Sequence, residues 1–125
     1  MDCLFCKIVK GYIPSLKVYE DEKVFVFLDI HPEANGHMLI IPKNHCQDLF
    51  DIDQETLLHV FEVAKKMDGI LQESFHHDGL TLMQNNGCPQ EVKHFHLHLI
   101  PKYIQEEDLV IKPVEEIYDH LKKEQ

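Results

Sequence analysis

The chain has no tryptophan, so its 44% apolar content rests on aliphatic residues, phenylalanine and tyrosine. It also lacks any apolar run near the roughly 20 residues that cross a bilayer as a helix, and no membrane association is expected. The opening residues, Met1-Asp2-Cys3-Leu4-Phe5-Cys6-Lys7, carry neither the basic start nor the apolar stretch of a secretory signal. The cytoplasm is the expected compartment. There Cys3, Cys6, Cys46 and Cys88 are expected as reduced thiols or metal ligands, not as a disulfide framework. Basic residues are scarce: Lys and Arg total 12 against 22 Asp and Glu, a net charge of −10. That balance argues against nucleic acid as a partner, which needs a basic footprint. It leaves room for a small anion, because a few local groups can reverse the field inside one pocket. No repeat, linker or low-complexity tract divides the 125 residues, which fit one domain, 1–125.

Ten residues are histidine, and their spacing matters more than their number. His94-Phe95-His96-Leu97-His98 reads as part of a strand over His94 to Ile100, ended by Pro101. Alternation puts the three imidazoles on one face, about 7 Å apart, with Phe95, Leu97 and Leu99 on the other. Three explanations are open for such a row. It can be a half-exposed polar strand face. It can hold a histidine nucleophile that attacks phosphorus, with neighbouring imidazoles binding phosphate oxygens or assisting the leaving group. Or it can supply ligands to a catalytic metal. Spacing alone does not choose.

The remaining pattern predicts a short helix over 3–10, ended by Gly11, and two strands at Val18-Tyr19 and Val24 to Asp29. Val24, Val26 and Leu28 share one face and Phe25 and Phe27 the other, so both faces are expected to be buried. A loop from Pro32 to Gly36, turning at Asn35-Gly36, precedes a strand over His37 to Ile41 that Pro42 stops. From Asp53 to Gln72 the period becomes helical, through Leu57, Phe61, Ala64, Met67 or Asp68, and Leu71, with Asp51 or Asp53 as N-cap. Leu80 to Gln84 forms another strand, and Pro113 opens a short helix over Val114 to Lys122. Together these predict an α+β fold with an antiparallel sheet and one long helix.

His94 to Ile100 resembles the signature of the histidine triad family, His-φ-His-φ-His-φ-φ with φ apolar, at every position. The resemblance runs from about Cys3 to Lys102. It includes Phe5-Cys6-Lys7-Ile8, Ile13-Pro14, Val18-Tyr19-Glu20-Asp21, Phe27-x-Asp29-Ile30, Gly36-His37, Ile41-Pro42-Lys43-x-His45 and Asn85-Asn86-Gly87, in the family's order. Residues 103–125 carry no such motif and read as a C-terminal extension. The resemblance implies a five-stranded antiparallel sheet with a long helix and short terminal helices, a two-fold homodimer, and hydrolysis or transfer at the α-phosphate of nucleotides, with a purine nucleotide as substrate. It makes His96 the nucleophile that becomes nucleotidylated, puts His98 opposite the α-phosphate and leaving group, and sets His37 behind them. Asp29 would hold the ribose hydroxyls. Phe5, Ile8, Phe27 and Ile30 would wall the base pocket, and Asn85 and Gln90 would lie near phosphate or sugar.

Each position has a plainer alternative. Phe5, Ile8, Phe27 and Ile30 could be core. Asp29 could cap the turn after its strand, Asn85 could serve the Asn86-Gly87 turn, and His37 could lie on an edge. Cys3-x-x-Cys6 with His45 and His94 matches a structural zinc site found in some members of the family, and Cys3 and Cys6 could otherwise be small apolar residues. The chain departs from the family between Gly87 and Lys93, a link about two residues short. Glu91 stands there where the family places a hydroxyl that donates to phosphate. An ionised carboxylate repels phosphate and cannot donate. Glu91 therefore turns away, or the substrate is altered, or turnover is slow. Two other functions stay open: a zinc hydrolase with His94, His96 and His98 as ligands, and a nucleotide-binding regulator with little turnover.

Overall fold

The computed structural model describes residues 3–124. Its elements are α1 (Leu4–Val9), β1 (Lys17–Glu20), β2 (Val24–Leu28), β3 (Met38–Pro42), α2 (Gln54–Phe75), β4 (Gly79–Met83), β5 (Leu97–Lys102), α3 (Glu106–Leu109) and α4 (Val114–Glu124). The strands form one antiparallel sheet in the order β1-β2-β3-β5-β4. The expected α+β architecture is present, with α3 as an element the sequence pattern did not reveal.

Strand alternation builds two cores. Val24, Val26, Leu28, Met38, Ile40, Leu97 and Leu99 face α2 and α4, where they meet Val60, Met67, Leu71, Ile117 and Leu121. Phe25, Phe27, Leu39 and Ile41 face the other way and pack on Phe5 and Ile8 of α1. Burial on both faces explains why β2 and β3 read as unbroken apolar runs. The C-terminal residues are part of this structure, because α4 contributes Ile117 and Leu121 to the first core.

Of the two prolines expected to end strands, Pro42 is the last residue of β3, as expected, whereas Pro101 lies within β5, which runs on to Lys102. Pro42 pairs opposite Val24, and Pro101 pairs opposite Leu80. The β3–β5 ladder runs only from Met38↔Leu99 to Ile40↔Leu97. Beyond it each strand is paired on one side, so a missing N–H is tolerated there. The same short ladder means that His94 and His96 precede β5 instead of lying within it.

Helix α2 starts where Asp53 accepts the Thr56 N–H at 3.0 Å and ends at His76, a left-handed residue with φ of 51°. Asp51, the other N-cap candidate, accepts the N–H groups of Gln47 and Asp48. The buried stripe is Val60, Val63, Ala64, Met67, Leu71 and Ser74. Phe61, expected inside, is 42% exposed. Val60 and Val63 take the core positions, which rotates the stripe away from it. At the Asn35-Gly36 turn, Gly36 has φ of 94°, and a Cβ there would lie 2.9 Å from Leu71 Cδ2. Only glycine fits. This turn delivers His37 to the head of β3. Among the described residues, no helix is long and apolar enough to cross a membrane.

A polar clip joins the β1–β2 turn to α2. Asp21 accepts the Lys23 and Val24 N–H groups through Oδ1, and the Tyr19 hydroxyl and His59 Nε2 through Oδ2. Burial alone would raise the Asp21 carboxyl, but these donors outweigh it and hold it at about 2. His59 is raised, first by its bond to Asp21. The Asp21 contribution is therefore present above its ordinary range and fades as pH falls toward about 2. The His59 contribution is complete below about pH 6.5 and fades as pH rises through the folded value. His59→Gln should cost about 1 kcal/mol near pH 5.5 and nearly nothing near pH 8.5 by urea denaturation. An equal loss at both values would show that the charge of His59 plays no part.

Candidate functional site

Three hydrogen bonds fix the stretch before β5. The His94 ring donates from Nε2 to the Pro42 carbonyl at 2.8 Å, and the Phe95 N–H donates to the Cys46 carbonyl at 2.8 Å. The His94 carbonyl accepts from His96 Nδ1, also at 2.8 Å. A carbonyl only accepts, so the His96 proton sits on Nδ1 and the Nε2 lone pair is free. Burial lowers the His96 pKa and keeps the ring neutral. A buried neutral imidazole with a free lone pair is the form that attacks an electrophile.

The same logic orients the next pair. The Glu33 N–H donates to His37 Nδ1 at 3.0 Å, which leaves the His37 proton on Nε2. That nitrogen lies 2.9 Å from His98 Nδ1 and 3.5 Å from Asp29 Oδ2, so the proton goes to His98. His98, pushed down to about 4 by burial and by the two neighbouring imidazoles, is neutral and carries its own proton on Nε2. A lone pair on His96 and an N–H on His98 thus stand side by side, with ring centroids 5.0 Å apart. Asp29, His37 and His98 bring three potential ligand atoms within 4.8 Å of one another. The proton required on His37 Nε2 makes that group a hydrogen-bond chain instead of a metal site.

His96 and His98 open into a cavity of about 540 Å³. Phe5, Ile8 and Phe27 line it and also belong to the second core. Phe5 meets the His96 ring edge-on at 5.1 Å. Ile30 is at the rim, 65% exposed. Asp29 caps the turn, Oδ1 accepting the His31 N–H at 2.8 Å, and also lines the cavity. Asn85 also lines the cavity, and Asn86 holds the turn by accepting the Leu49 N–H. Glu91 lines the cavity as well, and its charge is felt at His96.

Gln90 is the correction. Its N–H closes a tight turn on the Gly87 carbonyl, which sends the side chain under the loop, where Nε2 donates to the Gln47 carbonyl. It is buried and does not line the cavity. The sequence reading missed Leu39, Glu33, Met83 and Val92 as cavity residues. Alternation could have found Leu39, which shares a face with His37 and pairs opposite His98. No signal pointed to Glu33. A broader groove of about 750 Å³, bordered by the end of α2, α3 and α4, holds no such nucleophile and donor pair.

His94 faces elsewhere. With its proton on Nε2, its Nδ1 lone pair points to Cys3 Sγ at 3.2 Å, Cys6 Sγ at 3.5 Å and His45 Nδ1 at 3.2 Å; Cys6 Sγ to His45 Nδ1 is 3.4 Å. Four ligands around one zinc ion, with Zn–S near 2.3 Å and Zn–N near 2.05 Å, have edges of roughly 3.3–3.8 Å. The cluster fits a tetrahedral metal. Burial pushes the Cys6 thiol to about 11, so its thiolate needs a cation beside it. The structure therefore does not gather His94, His96 and His98 around one point.

The HIT domain profile matches residues 10–105. The chain is 42% identical over 104 residues to the Protein hit of Bacillus subtilis, spanning 82% of this chain and 72% of that one. It is 44% identical over 111 residues to an adenosine 5′-monophosphoramidase of Saccharomyces cerevisiae, spanning 87% and 68%. Among solved structures, a zinc-bound histidine triad protein of Mycobacterium smegmatis superposes with a TM-score of 0.87 at 36% identity, covering 99% of this chain and 93% of that one. A Hit-like protein of Bartonella henselae gives 0.86 at 36% identity, covering 99% and 97%. Sequence, fold and paired histidines agree, and the chain belongs to the HIT, or histidine triad, family.

Proposed function

We propose that the protein hydrolyses small nucleotide conjugates at the α-phosphate, with purine nucleoside phosphoramidates as the leading class, through a nucleotide bound covalently to His96. The observation that carries this reading is the opposed polarity of His96 and His98 in one cavity. The His96 Nε2 lone pair attacks phosphorus, forming the N–P bond as the bond to the leaving group breaks. Positive charge then resides on the His96 ring, whose Nδ1–H is held by the His94 carbonyl. The leaving group departs with the bonding pair and takes a proton from solvent, while the His98 N–H steadies the phosphoryl oxygens. Water then forms the new P–O bond and loses its extra proton to solvent, the N–P bond breaks with its electron pair returning to Nε2, and His96 returns neutral. Asp29 at the cavity wall suits a ribose, and Phe5, Ile8 and Phe27 suit a base. The yeast relative's name supports the substrate class.

His96→Asn should abolish turnover while nucleotide binding stays measurable by calorimetry. A residual rate above about a tenth of wild type, an effect under ~1.4 kcal/mol, would remove His96 as nucleophile.

We also assign a structural zinc to Cys3, Cys6, His45 and His94, where the ion would brace the segment that carries His96. It takes no part in the chemical step. Purified protein should hold about one zinc per chain. Cys3→Ser should lose metal and thermal stability together. Absence of zinc after purification without chelator would end the assignment. With no disulfide among its four cysteines, the chain suits a reducing compartment such as the cytoplasm.

A two-fold dimer belongs to the same proposal. β4 is an edge strand, and its Leu82, 45% exposed, sits opposite Leu99 on the face that α2 covers. Leu58 and Phe61 are exposed on α2 itself. Light scattering should give twice the 14.7 kDa chain mass. Phe61→Glu with Leu82→Lys should return it to one chain, and a wild-type monomer at micromolar concentration would contradict the proposal.

A further inference from the structure

The cavity is built for phosphate chemistry and is poor in positive charge. Its described lining includes the carboxylates Asp29, Glu33 and Glu91 and no lysine. The chain contains no arginine at all, the residue best suited to grip phosphates in bidentate fashion. Lys93, nearest in sequence to the reacting histidines, is tied to the Gly87 carbonyl at 2.8 Å. A β- or γ-phosphate extending from the α-phosphate would meet no cation in this lining. It would also meet the field of a protein of net charge −10.

On the reading above, Phe5, Ile8, Phe27 and Asp29 take the base and ribose, while Glu91 lines the same cavity and its charge is felt at His96, within reach of a group departing from the α-phosphate. We propose that Glu91 is a specificity-determining residue that selects phosphoramidates whose leaving amine carries a second, cationic group, and disfavours polyphosphate leaving groups. This rests on the hydrolase reading above and deepens it. By resemblance to the family, Glu91 takes the position of a hydroxyl that donates to phosphate, and the carboxylate exchanges that neutral contact for attraction to the departing group. It is exposed at the mouth, so it can reach a flexible cationic tail without first being desolvated. No bond beyond those of the parent reaction forms or breaks.

The test compares three adenosine 5′-phosphoramidates of equal chain length, made from a diaminoalkane, an alkylamine and an aminoalkyl carboxylate, with a diadenosine polyphosphate as a fourth substrate. Wild type should show kcat/KM about fivefold or more higher for the cationic tail than for the neutral one, shrinking with added salt. The anionic tail and the polyphosphate should be the slowest. Glu91→Gln should bring the cationic-to-neutral ratio to about one, and Glu91→Lys should invert it in favour of the anionic tail. The ratio is read within each variant, so a general loss of rate does not move it, and matching thermal melts show that each variant is folded. A wild-type ratio within about twofold, or a ratio unchanged in both variants, would overturn the role of Glu91 while leaving the hydrolase reading intact. Failure of wild type to turn over even the neutral conjugate would overturn the hydrolase reading and this inference with it.

Discussion

The His94 imidazole gives its Nε2 proton to the Pro42 carbonyl, and that single bond sets the polarity of what surrounds it. It leaves Nδ1 bare toward Cys3, Cys6 and His45. It also anchors the residue whose carbonyl holds the His96 proton on Nδ1. A second chain, from the Glu33 N–H through His37 to His98, gives the opposite result, a ring that offers a proton to the cavity. Backbone groups sit at the root of both chains. The polarity of the two rings is therefore set by the fold, and burial favours the uncharged forms of His94, His96 and His98.

Much of this was legible in the sequence because it depends on period and type. Alternation in Val24 to Leu28 gave two buried faces, and the change of period near Asp53 gave the long helix. The four-ligand set Cys3, Cys6, His45 and His94 came from resemblance, and the structure supplies the distances that make it a plausible tetrahedron. The illegible parts depend on which strands pair, and for how long. Pro101 looked like a stop because nothing local reveals that the β3–β5 ladder ends after three residue pairs, which frees β5 to run on to Lys102. Phe61 looked like core because it is apolar at helical spacing, yet Val60 and Val63 fill the stripe. Gln90 matched by position, but the short loop turns its side chain beneath the chain, a matter of loop geometry that residue type does not encode.

The two histidine-containing clusters show how one motif serves two purposes. His94 and His96 are two residues apart, but their side chains address different spaces, one facing thiols and the other the cavity. The residue between them, Phe95, is buried in the core against the long helix. The motif thus reaches three regions: the Cys3, Cys6 and His45 cluster at the N-terminal helix, the main core, and the cavity. A substitution at any of its positions would be felt in at least two of them.

The tie between Asn35 and the C-terminal stretch has its own consequence. Asn35 is only 7% exposed, and its side chain donates to the Val110 carbonyl at 2.9 Å and accepts the Lys112 N–H at 2.9 Å. Its carbonyl accepts the Tyr103 hydroxyl at 2.6 Å. Fraying of residues 103–112 would strand these buried groups two residues from His37, at a cost of about 1–3 kcal/mol for each group left unpaired. The stretch without a motif in the sequence is thereby locked into the same cooperative unit as the imidazole that polarises His98, and local opening of one is opening of the other.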